Sequence, residues 1–265
     1  MCFVEAGLPY LTQQALALRE SLLHVESDDT DLVVMGPPDV LGRFPDDVVR
    51  LEQRVVADDP EWFGYRFSNA IACLNGAHAH NLDRYSHILH TDVDTFITPS
   101  WNDFRPDGFM CGGGGYGSDA PDVAERIQAV AAELGLTHRG LVNTGATWYG
   151  PTSQVRRVGA LTEMLTRHIL SRHFRTDPGE WPHWYHGVAL LYAAEIAINQ
   201  KHTGSHLRQH HRGVKGGGGF SFLRKWAGDH NHFGWSSGPG EEQGSAQRPI
   251  GFGRLRPRTV VCDQL

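Results

Sequence analysis

An α/β fold, with a mostly parallel sheet flanked by helices, is what this sequence predicts, and three observations predict it. Up to Pro151, short apolar segments alternate with stretches whose apolar residues recur at helical spacing, the pattern of strand–helix–strand units. Glycine and proline punctuate the joints, as at Gly7-Leu8-Pro9 and Gly36-Pro37-Pro38, because both residues break regular backbone. The 265 residues, 40% hydrophobic and 20% charged, suffice for a sizeable core.

The elements follow in order. Residues 2–5 read as a first strand that turns at Gly7, after which Leu11, Ala15, Leu18 and Leu22 mark a helix with one buried stripe. Residues 31–35 form a compact apolar strand, and 50–56 another. Phe67, Ile71 and Leu74 mark a second helix, ended by Gly76. Residues 86–90 make an interior strand centred on Ile88-Leu89 that runs into Thr91-Asp92-Val93-Asp94-Thr95. A strand at 109–111 precedes Gly112-Gly113-Gly114-Gly115, then a helix carries Val123, Ile127, Val130 and Leu134 on one face, with Gly135 as its cap. Residues 141–149 form the last strand before Gly150-Pro151. Two helical stripes follow: Val158, Leu161, Leu165 and Ile169, then Trp184, Val188, Leu191 and Glu195. From His202 the periodicity fades. The domain is expected to span 1–233, with 234–265 a flexible tail.

Composition excludes several classes. A net charge of −6 argues against a general affinity for nucleic acid or anionic membranes. The four cysteines show no CxxC spacing, against a structural zinc site or a disulfide framework. No stretch nears the roughly 20 apolar residues that span a bilayer. The opening Met1-Cys2-Phe3-Val4-Glu5 lacks a signal-peptide pattern and reads as the inside of a strand. Two compartments therefore stay open: the cytoplasm as the chain stands, or the Golgi or another secretory lumen if the natural N-terminus lies upstream.

Asp92-Val93-Asp94 carries the sharpest chemistry. Two carboxylates one residue apart at the end of an apolar strand can converge on one hard cation, Mn²⁺ or Mg²⁺, leaving positions open for phosphates. Flanked by apolar segments, such acids are costly without a cation or donors.

Residues 85–99, from Tyr85 through Asp92 and Asp94 to Pro99, resemble the D-x-D segment of GT-A type glycosyltransferases. They are similar above all to a little-characterised eukaryotic-type group whose segment reads "RTDxDTFLTP". The resemblance extends to residues 109–116, 143–151 and 191–197, and spans roughly 1–235, with the D-x-D segment its specific part. It implies a Rossmann-like three-layer α/β/α fold and a nucleotide-sugar-dependent transferase. Asp92 and Asp94 would coordinate Mn²⁺ or Mg²⁺ against the donor diphosphate, with Thr91 beside them. The first strand and turn, including Val4 and Gly7, would contact the nucleotide. A further histidine ligand often comes from near the C-terminus of such enzymes. Here His210 is the choice and His206 the second, among 16 histidines.

Other residues are read from their own chemistry. Gly113 and Gly114, in the run 112–115, would let backbone approach a sugar or phosphate; a mobile loop is the alternative. The run Gly216 to Gly219 reads first as a flexible segment; as the alternative it could close over the donor as a lid, with Lys215 or Arg212 meeting the diphosphate. Asn143 and Trp148 could read a sugar's hydroxyls and apolar face, and Trp184 could line an acceptor cleft; for Trp148 the alternative is a core aromatic. Glu195 falls on an apolar stripe, either as a general base or in a buried salt bridge to an arginine, and Asp177 is the weaker alternative base. The expected reaction is transfer of a sugar from a nucleoside diphosphate sugar to a hydroxyl or carbohydrate acceptor. The competing classes are a HAD-like phosphohydrolase using Asp92 and Asp94, and a non-catalytic carbohydrate-binding protein on the same scaffold.

Overall fold

A computed structural model describes residues 1–103, 106–116, 121–201, 208–209 and 223–225. The chain divides into Met1–Trp226 and Ala227–Leu265; the second unit, with the expected tail 234–265, lies outside the described residues.

Strands β1 (Cys2–Phe3), β2 (Val33–Gly36) and β3 (Val49–Glu52) pair in parallel, with Cys2 opposite Val34 and Val34 opposite Arg50. Strands β4 (His87–His90), β6 (Met110–Gly113), β7 (Thr144–Pro151) and β8 (Arg208–Gln209) form a second set in the order β4-β7-β6-β8. Two bonds join the sets. The Met1 nitrogen donates to the Leu89 carbonyl at 2.5 Å, and the Thr91 N–H donates to the Met1 carbonyl at 3.1 Å. Such a pair brackets His90 as a parallel bridge does, so β4 runs beside β1. Among these strands β7 alone is antiparallel to its neighbours, β4 and β6. The expected mostly parallel α/β sheet is therefore present as a mixed sheet. A short pair, β5 (Thr95–Ile97) with β9 (Leu223–Lys225), lies apart.

The pleat sorts side chains onto two faces. Val33, Met35, Ile88, Phe109, Cys111 and Trp148 join one apolar cluster with α3 (Ser68–Ala72), α5 (Pro121–Glu133), α6 (Thr152–His173) and α7 (Ala189–Lys201). Val34, Leu89, Met110 and Tyr149, their neighbours in sequence, join the other cluster with α1 (Pro9–Val25), α2 (Pro38–Leu41) and α4 (Ser100–Asp103). Helices thus cover both faces, as the near-continuous apolar strands require.

Boundaries shift by a few residues, and one expectation changes. Gly135 does end α5: with φ 64° it lets the Leu136 N–H reach the Ala131 carbonyl and its own N–H reach Ala132, the paired bonds of a Schellman cap. The stripe Trp184, Val188, Leu191 and Glu195 does not form one helix face. Helix α7 begins at Ala189, and it buries Tyr192 through Asn199 without interruption. It is a central helix buried all round, for which a one-sided periodicity is the wrong template. No helix among the described residues is long and apolar enough to cross a membrane.

Candidate functional site at the carboxyl edge of the sheet

From β1 the chain turns through α1 to β2 on one side, whereas β4 lies on the other. The gap between β1 and β4 is thus a point where the strand order reverses, and open α/β sheets bind ligands outside the carboxyl ends of strands at such points. Val4 to Gly7 leave β1 there, and Thr91 to Asp94 leave β4. Gly7 has φ 78° with open space around its absent Cβ, so the turn needs glycine for its backbone and not for room. Gly36 at the end of β2 is the opposite case. A Cβ there would lie 2.5 Å from the Val4 carbonyl oxygen, so glycine is what lets β1 and β2 close at this edge.

Around the two acids burial alternates. Thr91, Val93 and Thr95 are buried, whereas Asp92 and Asp94 are half-buried, and the Asp94 Oδ1 is shut off from solvent. A chain of hydroxyls pins the turn. Thr95 Oγ1 donates to the Asp92 carbonyl at 2.8 Å, and Thr91 Oγ1 lies 3.3 Å from both Thr95 Oγ1 and Thr147 Oγ1. Ile97 N–H donates to Ser21 Oγ at 2.9 Å, tying β5 to α1. His90 sits beneath, its Nε2 3.0 Å from the Ala70 carbonyl and its Nδ1 3.3 Å from that of Ala146. Burial lowers its pKa, against the opposing effect of the two carbonyl contacts.

Strand β7 brings a second group to this edge. Because it runs against β4, its beginning lies beside the end of β4: His90 pairs with Trp148, and Thr147 meets Thr91. Gly113 pairs with Thr144, and the Gly114 N–H donates to the Asn143 carbonyl at 2.5 Å. Asn143 has φ 54°, a left-handed conformation that asparagine tolerates better than most residues. Gly114 and Gly115 are exposed. Part of the glycine run serves packing, since a Cβ on Gly145 would come 2.9 Å from the Gly113 carbonyl oxygen.

Thus Val4, Gly7, Thr91, Asp92, Asp94, Gly113, Gly114 and Asn143 gather along the carboxyl ends of β1, β4 and β6 and the start of β7. Val4 is fully buried, backbone included, and its N–H is bonded to the Met35 carbonyl, so it positions the turn and does not itself meet a nucleotide. The other expected site residues that are described, Trp148, Trp184, Asp177 and Glu195, do not join them as ligand-reading groups. Trp148 is 1% exposed, lies tilted against His90 with ring centroids 5.4 Å apart and donates its Nε1–H to the Gly145 carbonyl, so it is the core aromatic. Trp184 lies parallel to Tyr192 with ring centroids 4.4 Å apart and is buried, which removes it from an acceptor cleft. Asp177 is exposed and accepts the Gly179 N–H, holding a turn. His210, His206, Arg212, Lys215 and the run 216–219 lie outside the described residues.

Glu195 is 1% exposed, and its partners are not an arginine. Tyr116 Oη donates to Oε2 at 2.6 Å and His138 Nε2 lies 3.1 Å from Oε1. Asn199, one helical turn on, lies 3.2 Å from the same His138 nitrogen and bonds the Leu141 carbonyl. Burial beside Glu195 pushes the Tyr116 hydroxyl well above its usual range. The quartet ties α7 to the segment leading into β7 and leaves Glu195 no open side for an acceptor hydroxyl. Sequence reasoning missed Tyr116 and His138, which are distant in the chain; Asn199 had a signal in its four-residue spacing from Glu195. It also missed the ion pair between Glu5 and Arg66 at the end of β1, where Glu5 is 8% exposed.

A cavity of about 300 Å³ opens elsewhere, on the α1 face toward the amino ends of β2 and β4, among Leu18, Leu22, Asp31, Ser86, Trp101 and Tyr149. Its lining does not include Asp92 or Asp94. The lining does reach Thr91 and Ile97, so the cavity abuts the end of β4, and the paired carboxylates are the better guide to function.

No curated protein matches this chain. The family described as "Domain of unknown function (DUF7164)" matches residues 9–214, a stretch that begins at α1 and takes in Asp92, Asp94, the glycine run and the Glu195 quartet. With most of its length so matched, the chain belongs to the DUF7164 family.

Proposed function

We propose that the chain is a metal-dependent glycosyltransferase of the GT-A type, moving a sugar from a nucleoside diphosphate sugar to a hydroxyl acceptor. The observation that carries this reading is the position of Asp92 and Asp94 at the carboxyl end of β4, beside the β1 turn where the strand order reverses. The donor set fits a hard divalent cation: two carboxylates, half-buried, on a turn fixed by the Thr95 hydroxyl. Mn²⁺ or Mg²⁺ held there would neutralise charge on the leaving nucleoside diphosphate.

The chain's own groups have separate tasks. Thr91, Thr95 and Thr147 orient the two acids by locking the Asp92 backbone against β7. The Gly7 turn lets nucleotide approach the end of β1. Gly114 and Gly115 expose backbone at the neighbouring strand end, where Asn143 adds a polar side chain. Glu195 acts as a brace for the β7 entry and not as the base. The resemblance of residues 85–99 to D-x-D segments supports the same conclusion independently of the geometry.

Calorimetric titration of UDP and of GDP, with Mn²⁺ and again with EDTA, tests the reading. Binding of one nucleotide only in the presence of Mn²⁺ is expected. A folded protein that binds neither would overturn it and turn attention to a sugar-binding or phosphohydrolase role.

A further inference from the structure

Helices α5 and α6 end close together, on Glu133 and His173. One turn before the end of α6, His168 faces the same place. The ligating atoms of Glu133, His168 and His173 all lie within 4.8 Å of one another. His168 Nε2 is 3.6 Å from one Glu133 oxygen, and His173 Nε2 is 3.9 Å from the other. Both distances exceed a hydrogen bond. Both Nε2 atoms are nevertheless sealed from solvent and have no hydrogen-bond partner among the described residues. Two buried imidazole nitrogens aimed at one carboxylate, and satisfied by nothing, are an expense that structures rarely keep.

We propose that Glu133, His168 and His173 form a binding site for a divalent transition-metal ion, with Zn²⁺ the best chemical match, separate from Asp92 and Asp94. Two imidazoles and one carboxylate are the ligand types that Zn²⁺ takes, at about 2.0–2.2 Å each. Tetrahedral geometry at those lengths sets ligand atoms about 3.4 Å apart, so donor atoms now within 4.8 Å of one another need to close by at most about 1.4 Å around an ion. The Glu133 side chain is 50% exposed and able to swing inward. The His173 ring is held by Trp184, whose ring meets it edge-on at 5.9 Å. Two helix carboxyl ends converge on the site, and their partial negative charge favours a cation. The bound ion would clip the end of α5 to the end of α6, with a fourth position left for water.

The site is tested by Zn²⁺ titration of full-length Asp92→Asn/Asp94→Asn protein, with and without His168→Gln/His173→Gln. The histidine changes are expected to remove one bound equivalent, and to abolish the rise in melting temperature that Zn²⁺ produces in the parent. An unchanged count of bound Zn²⁺, or a parent that gains no stability from Zn²⁺, overturns the proposal. Should the double-histidine variant fail to fold, Glu133→Gln on the exposed side of the site replaces it. Its Zn²⁺ affinity should fall about tenfold or more with melting of the metal-free protein unchanged, and an unaltered affinity overturns the proposal equally.

Discussion

Asp92 and Asp94 on one side, and Glu195 on the other, are acids that a linear reading treats alike, since each interrupts an apolar stretch. Their surroundings separate them. The aspartates stand half-buried where β4 ends, on a turn whose hydroxyl contacts engage backbone and threonines. Glu195 lies inside a helix buried all round, with both carboxylate oxygens occupied by Tyr116 and His138. The aspartates stand at a strand end, where open α/β sheets bind ligands, whereas the Glu195 carboxylate is enclosed in the core and bonded to other parts of the fold. Apolar flanks signal an acid with a purpose, while only its neighbours in space say whether that purpose is chemistry or architecture.

Four substitutions test whether the two kinds of acid differ in this way. The largest effect is expected from Asp94→Ala, which should weaken Mn²⁺-dependent nucleotide binding by about a hundredfold while leaving the melting temperature nearly unchanged. Calorimetry beside thermal unfolding checks it, and retained binding would remove Asp94 from the metal. Glu195→Ala should do the reverse. Two buried partners lose their acceptor, at a cost of about 3 kcal/mol in stability, with nucleotide affinity of the folded fraction intact. Denaturant unfolding measures the loss, and a stable but inactive variant would restore Glu195 as a base.

Gly36→Ala sits between the two classes. Its new Cβ would press on the Val4 carbonyl oxygen and should destabilise by about 1–3 kcal/mol. Because the clash lies at the β1 end, it should also impair nucleotide binding, which a purely architectural position would spare. Thr95→Val is the mildest. It keeps the shape of a residue 1% exposed and removes the bond to the Asp92 carbonyl. About 1 kcal/mol of stability and a several-fold drop in Mn²⁺-dependent affinity are expected; an effect on stability alone would mean that the hydroxyl chain does not orient the acids.

Local pattern determined much of this protein. Alternating apolar segments and glycine–proline joints announced the α/β architecture, and the short apolar strand before Asp92 and Asp94 placed the two acids at a strand end, because strand ends, turns and caps depend on neighbouring residues. Gly7 and Gly135 were legible for the same reason: each needs a backbone conformation that other residues adopt at a cost. What the tertiary structure decided were the contacts between distant segments. Whether Trp148 met a sugar or the core depended on His90 and the Gly145 carbonyl. Whether Glu195 was base or brace depended on Tyr116 and His138 from beyond its own helix. The meeting of Glu133 with His168 and His173 required two helices to end side by side. Such pairings are set by how sheets and helices pack in three dimensions, and a one-dimensional period carries no record of which faces will meet.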